Sequence, residues 1–266
     1  MGMDMKKLLA AALCAALLTA CGSSQPARSS SDEAQAEPTA SAQPSRKGLS
    51  LPPCTQENSP AREAYAQALE QLLQEHILPD GTVLEQTGEG DDLSPDQIFV
   101  YDLDGDGAEE LVLLHTSAVM AGQRGYVFGW NAQEGRMEKQ LEEFPSLVFY
   151  ESGAVQADWS HNQGKGGSFW PYTLYRYDAV GDRYVEVGSV DAWDREQFPE
   201  GYPDQADTSA SGFVYYINTD GTVTWEDPLD VSVYRQWRYP YVREERILAP
   251  EYLPLCQETI QLLLRS

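Results

Sequence analysis

Between residues 98 and 225 the chain returns repeatedly to one pattern, a short run of aromatic and β-branched residues followed by a turn of Gly, Asn and Asp. Residues 98–101, 111–114, 126–130, 172–177, 184–190, 213–217 and 223–225 are such runs. They are short for helices and rich in side chains that suit a pleated, half-buried surface. The turns at 131–135, 178–182 and 218–221 carry residues that tolerate tight antiparallel connections, so neighbouring runs are expected to pair as hairpins. The predicted fold class is therefore mainly β (α+β), an antiparallel sheet of hairpins with a flanking helix at each end. The likeness of the hairpins also suggests a partial β-propeller, although their spacing is uneven and no long motif repeats. Ser59-Pro60 opens the first helix, and Tyr65, Leu69, Leu72, Leu73 and Ile77 recur on one stripe until Pro79-Asp80-Gly81 ends it. The second helix covers 255–264, with Ile260 and Leu263 or Leu264 facing inward.

Ahead of this region lies a different kind of chain. Lys6 and Lys7 precede an apolar run over 8–18 that is too short to span a bilayer and reads as a signal segment, with translation starting at Met1 or Met5. The following Leu18-Thr19-Ala20-Cys21 resembles the lipobox of bacterial lipoproteins. That resemblance implies removal of residues 1–20 and acylation of Cys21 with diacylglycerol and palmitate. It also implies attachment to the cell membrane on its extracytoplasmic face. Two or more acyl chains anchor stably where one is marginal. Residues 21–53 carry that cysteine and a stretch of Ser, Ala, Gln, Pro and Glu with little to bury, which predicts a disordered tether. Its reach, if flexible, is about 30 Å. The extracytoplasmic, mainly-β domain is then 54–266.

That domain holds 13 Lys and Arg against 38 Asp and Glu. Such a surface repels nucleic acid and anionic lipid and attracts divalent cations. Its two cysteines, Cys54 and Cys256, stand at opposite ends. An exported chain permits a bridge between them, and two free thiols are equally compatible with the sequence.

The sharpest local pattern is Asp102-Leu103-Asp104-Gly105-Asp106-Gly107-Ala108-Glu109-Glu110. Carboxylates at the first, third and fifth positions of a tight loop converge on one point, a glycine at the sixth allows the bend, the Ala108 carbonyl follows, and Glu110 closes the shell. Hard oxygen donors in this number suit Ca²⁺. An EF-hand needs an acid at the twelfth position, which is Leu113 here. The loop instead resembles that of FG-GAP and VCBS-type repeats and of the integrin α propeller, which implies a structural calcium site between two strands held by Asp102, Asp104, Asp106, Ala108 and Glu110. Glu110 departs from the Asp that is commoner there. The chain as a whole resembles uncharacterised lipoproteins of Gram-positive bacteria, a likeness that implies no activity.

The later acids Asp191, Asp194, Glu196, Glu200, Asp204 and Asp207 lack ligand spacing and read as a charged, solvated loop, and Gly164-Lys165-Gly166-Gly167 reads as a mobile loop. Trp159, Trp170 and Trp193 lie beside Gly-rich and acidic segments, where aromatic faces next to carboxylates suit sugar recognition. His76, His115 and His161 have no zinc-ligand spacing, there is no Gly-x-Ser-x-Gly elbow, and the neighbours Ser160 and His161 do not by themselves make a nucleophile and base. No catalytic residue is assigned. The expected function is a calcium-stabilised binding module at the cell surface, with a glycan, a wall component or an envelope protein as partner. The alternative is an envelope glycan hydrolase using paired carboxylates.

Overall fold

The computed structural model describes residues 50–84, 92–118, 122–162 and 164–265. Cys21, the signal segment and the tether up to residue 49 lie outside the described residues.

Helix α1 (Ser59–Glu75) buries Tyr65, Leu69 and Leu72 completely, as their spacing requires. Its cap position is Asn58, not Ser59, and the Asn58 side chain does not bond the helix; its amide donates to the Gly107 carbonyl at 3.2 Å. The helix stops at His76, which takes the left-handed conformation (φ 56°) and donates its amide to Leu72. Ile77 therefore belongs to an isolated bridge with Val83, and Pro79-Asp80-Gly81 is the turn of that bridge.

The chain is mainly β, as expected, but its hairpins form two antiparallel sheets instead of one. The first contains β1 (Gln97–Tyr101), β2 (Glu110–Ala118), β3 (Gly122–Asn131), β4 (Arg136–Glu143) and the two-residue β11 (Leu253–Pro254), in the order β11-β1-β2-β3-β4. The second contains β5 (Ser146–Phe149), β6 (Val155–Asp158), β7 (Tyr172–Asp178), β8 (Arg183–Asp194), β9 (Phe213–Asn218) and β10 (Leu229–Asp230), side by side in reverse sequence order. Two multi-stranded sheets packed face to face exclude the propeller alternative, in which separate blades would surround an axis.

Alternation along the strands builds three apolar layers. Ile98, Val100, Leu111, Leu113, Tyr126 and Phe128 meet α1 and α3 (Gln257–Leu263), with Ile260 and Leu263 buried as predicted. Phe99, Val112, Leu114 and Val127, on the opposite face, meet Phe149, Val155 and Tyr184 of the second sheet. The far face of that sheet, with Tyr172, Leu174, Val190 and Tyr215, is covered by α2 (Val231–Val242). The order of layers is thus helices, sheet, sheet, helix. Leu51, ahead of the expected domain start at Cys54, packs against the first layer.

Two departures share a cause. Residues 223–225 do not form a strand, because Asn218 folds the chain back on itself, accepting from the Thr224 amide and hydroxyl at 3.0 Å each. The partner of β9 is therefore β10, paired Leu229 to Tyr215 and Asp230 to Val214. The chain then turns at once into α2, a helix for which the sequence pattern gives no expectation. Cys54 and Cys256 are both free; the Cys54 thiol donates to the Thr55 carbonyl, and Cys256 Sγ lies 3.5 Å from the Thr259 hydroxyl.

Candidate functional site

The Asp-rich segment is the connection between β1 and β2, closed by the pairing of Tyr101 with Glu110. Its bends are made by its own carboxylates. Asp102 accepts from the Gly105 and Gly107 amides at 2.8 and 3.1 Å, Asp104 from Asp106 at 3.0 Å, and Asp106 from Ala108 at 2.7 Å. Gly105 and Gly107 take φ values of 82° and 96°, which other residues adopt only under strain. The result brings one oxygen from each of Asp102, Asp104 and Asp106 within 4.8 Å of the others. Oxygens on opposite sides of a calcium ion, each about 2.3–2.6 Å from it, are about 5 Å apart, so the span matches a shared cation.

The surroundings make this cluster electrostatically costly. Among the described residues Asp104 Oδ2 is buried without a hydrogen-bond partner, and so is the Tyr184 hydroxyl, whose ionisation is opposed by burial first and then by the Glu110, Asp104 and Asp102 carboxylates. Burial, followed by the charges of Asp106 and Asp102, raises the Asp104 pKa above the usual carboxylate range. Glu110 lies outside the cluster of three and sits behind it, 2% exposed, with Oε2 accepting from the Leu103 amide at 2.7 Å. Burial, reinforced by Asp104, Asp106 and Asp102, pushes its pKa up to about 9 against the opposing pull of that amide. Of the five expected ligands, three aspartates are thus brought together, Glu110 is turned inward, and Ala108 is exposed beside them.

The tryptophans separate. Trp159 and Trp170 line one open cleft of about 540 Å³ together with Gln123, Ser146, Asp158 and Ser160. The cleft lies where the start of β3 in the first sheet meets the outer ends of β5 and β6 in the second. Trp193 is elsewhere. Its ring lies under the Lys165 ammonium at 3.3 Å and against the edge of Tyr202, and its indole N–H donates to the Phe198 carbonyl at 2.7 Å. It is a packing element and does not line the cleft.

The second acidic stretch is not a solvated loop throughout. Asp191, Asp194 and Asp207 are buried, and they serve the backbone: Asp194 accepts from Glu196 and Gln197, and Asp207 from Ser211 and Gly212. The 164–167 loop is packed down on two of them. A Cβ on Gly164 would fall 2.6 Å from Asp191 Oδ2, and one on Gly167 2.3 Å from Asp194 Oδ2, so these glycines permit close approach and not mobility.

Two polar arrangements have no signal in the sequence. His115 Nδ1 lies 2.7 Å from the buried Asp96, which also accepts from the Thr116 amide and hydroxyl. Asp158 and Gln123 come to the cleft from strands far apart in the chain; the proximity of Asp158 to Trp159 is the one local hint. Ser160 Oγ is 2.7 Å from His161 Nδ1, an exposed contact between neighbours. Comparison with protein-family models, with curated proteins and with solved structures finds no match to this chain.

Proposed function

We propose that this chain is a lipid-anchored, extracytoplasmic binding module in which a calcium ion braces the β1–β2 loop and whose partner is a glycan, a wall component or an envelope protein. The observation that carries the calcium part is the convergence of Asp102, Asp104 and Asp106 within 4.8 Å around a buried carboxylate oxygen that has no hydrogen-bond partner among the described residues. Three such groups repel one another, and a divalent ion reverses the sign of that interaction. The ion's role is structural, since its donors come from one loop. Anchoring rests on the lipobox ending in Cys21, and the net charge of −24 disfavours nucleic acid.

A binding role is preferred to glycan hydrolysis for a specific reason. Hydrolysis with paired acids needs two carboxyl groups about 5–10 Å apart across a cleft. Asp158 is the one acid among the described residues lining the tryptophan cleft.

Calorimetry tests the calcium assignment. Titration of the full chain with Ca²⁺ should give saturable heat with a dissociation constant on the order of micromolar to millimolar. Asp104→Ala should remove most of that heat. Calcium at about 100 times that constant should add about 2.7 kcal/mol to the stability of the folded chain. Equal heats for the wild-type and Asp104→Ala chains would overturn the assignment.

A further inference from the structure

The binding-module reading leaves the ligand and its position open; resting on that reading, we infer that the Trp159–Trp170 cleft is a subsite for a neutral pyranose sugar. Trp170 is 48% exposed, yet its single polar atom is already engaged, donating to the Trp159 carbonyl at 2.6 Å. The indole N–H of Trp159 is likewise engaged, with the Thr173 hydroxyl at 3.1 Å. Both side chains have spent their donors inside the protein. What they offer the cleft is hydrocarbon ring held in a fixed orientation, which suits the flat C–H face of a sugar.

A pyranose also carries hydroxyls at its edge, and the cleft holds a prepared acceptor for them. Asp158 Oδ1 accepts from the Gln156 side-chain amide at 2.8 Å. Gln156 Oε1 in turn accepts from the Tyr150 hydroxyl at 2.9 Å and from Arg238 at 3.2 Å. Arg238 is buried on α2 and also donates to the Tyr172 and Tyr150 hydroxyls at 2.6 and 2.8 Å. The carboxylate is therefore braced by a chain of hydrogen bonds that runs along the α2-facing side of the second sheet to Arg238. Its other oxygen, Oδ2, has among the described residues one contact, Ser146 Oγ at the long distance of 3.5 Å. That oxygen retains the capacity to accept a ligand hydroxyl, while Gln123 and Ser160 supply further polar groups at the rim.

Charge selects among sugars. No Lys or Arg is among the described residues lining the cleft, one carboxylate is, and the chain carries a net charge of −24. Uronic acids and phosphorylated polymers would meet repulsion with no compensating cation. The volume of about 540 Å³ lies within the range of sites that take small molecules or a short stretch of polymer.

The test is titration of the full chain, followed by tryptophan fluorescence and calorimetry, with three probes: cellohexaose, chitohexaose and an anionic oligogalacturonate of matching length. Each titration is run with excess calcium and again with chelator. At least one neutral hexamer should bind saturably and the anionic one should not. Trp170→Ala should weaken binding roughly tenfold. Asp158→Asn should weaken it severalfold, and Trp225→Ala, which alters an exposed tryptophan outside the cleft, should leave it unchanged. Ser160→Phe fills the cleft from an exposed position and should block binding even if Trp170→Ala folds poorly. Failure of both neutral hexamers, equal binding of the anionic probe, or wild-type affinity in both Trp170→Ala and Ser160→Phe would overturn the assignment. Saturation by a proline-rich peptide in place of either sugar would do the same. The calcium arms keep the two readings apart: sugar binding that persists without any calcium response condemns the loop assignment alone, and a calcium response without sugar binding condemns the cleft alone.

Discussion

Asp191 lies on β8 with 3% of its surface exposed, and among the described residues one backbone amide donates to its carboxylate. Oδ1 accepts from the amide of the next residue, Ala192, at 2.7 Å, and Oδ2 faces the close-packed Gly164 and the ring of Trp225. Burial raises its pKa above the ordinary carboxylate value, and the Ala192 amide only partly offsets this. A raised value means that the folded state favours the neutral form. As pH climbs from the ordinary carboxylate range to the raised value, the unfolded chain has already released its proton while the folded chain still holds it. Stability is therefore lost across that window and stays lower above it. Asp191→Asn keeps the shape and removes the ionisation. It should raise stability at neutral pH by on the order of 1 kcal/mol, about a fivefold change in the ratio of folded to unfolded chains, and the gain should vanish in acid. Urea unfolding of both chains across the acid range measures it, and a less stable Asp191→Asn chain at neutral pH would show that the carboxylate is ionised and paired.

At the level of elements, α2 shows what makes a helix hard to read. Tyr234, Trp237, Tyr239, Tyr241 and three valines give it the composition of a strand, and Pro240 stands inside it. Tertiary contacts override those preferences: Tyr234 stacks on Tyr215 at 4.1 Å with rings 3° from parallel, and its hydroxyl meets that of Tyr172 at 2.9 Å. One local signal does exist, the cap formed by Asp230, which accepts from the Ser232 amide and hydroxyl at 2.9 and 2.6 Å and from the Ser209 amide at 2.8 Å. These donors hold its pKa well below the usual carboxylate range. The depressed value places the stabilisation above the ordinary carboxylate pKa and removes it as pH falls through the folded-state value. Asp230→Ala should lower the melting temperature at neutral pH, and the difference should close in strong acid; no change at neutral pH would remove the cap from the account of α2. The same contrast divides the sites. The Asp loop is legible because all its residues lie within nine positions and each carboxylate bends its own backbone. The cleft is not, because Gln123, Ser146 and Trp170 reach it from three segments and meet only once two sheets have packed. Two-residue strands such as β10 and β11 carry no periodicity, so the partition of the hairpins into two sheets leaves no trace in the pattern of the strands.

Across the whole molecule, the Asp loop is gripped from two sides. From one side α1 holds it: Asn58 donates to Gly107, Arg62 makes a paired contact with Glu109 at 2.7 and 2.6 Å, and the Tyr65 hydroxyl donates to the Glu109 carbonyl. Arg62 and Glu109 are both buried, so removing Arg62 leaves the Glu109 carboxylate buried without its paired cation, a loss of about 3–5 kcal/mol. From the other side the second sheet presses on it, where Gly153 approaches so closely that a Cβ would lie 3.3 Å from the Leu103 carbonyl. Undocking α1 breaks the contacts at Gly107 and Glu109 and so loosens the segment between Asp106 and Glu110. A cation that favours the closed loop must then oppose undocking by the same free energy, because the two equilibria share that segment. Under the proposed calcium assignment, hydrogen exchange of α1 amides should slow when calcium is added, in step with those of residues 102–110. Amides of α2, on the opposite side of the second sheet, should respond no more than global stability requires. Asp104→Ala should abolish the calcium effect in both places, and Arg62→Met should preserve it in the loop while weakening it in α1. Exchange in α1 that ignores calcium while the loop becomes protected would mean that the helix and the loop open independently, despite the buried ion pair between them.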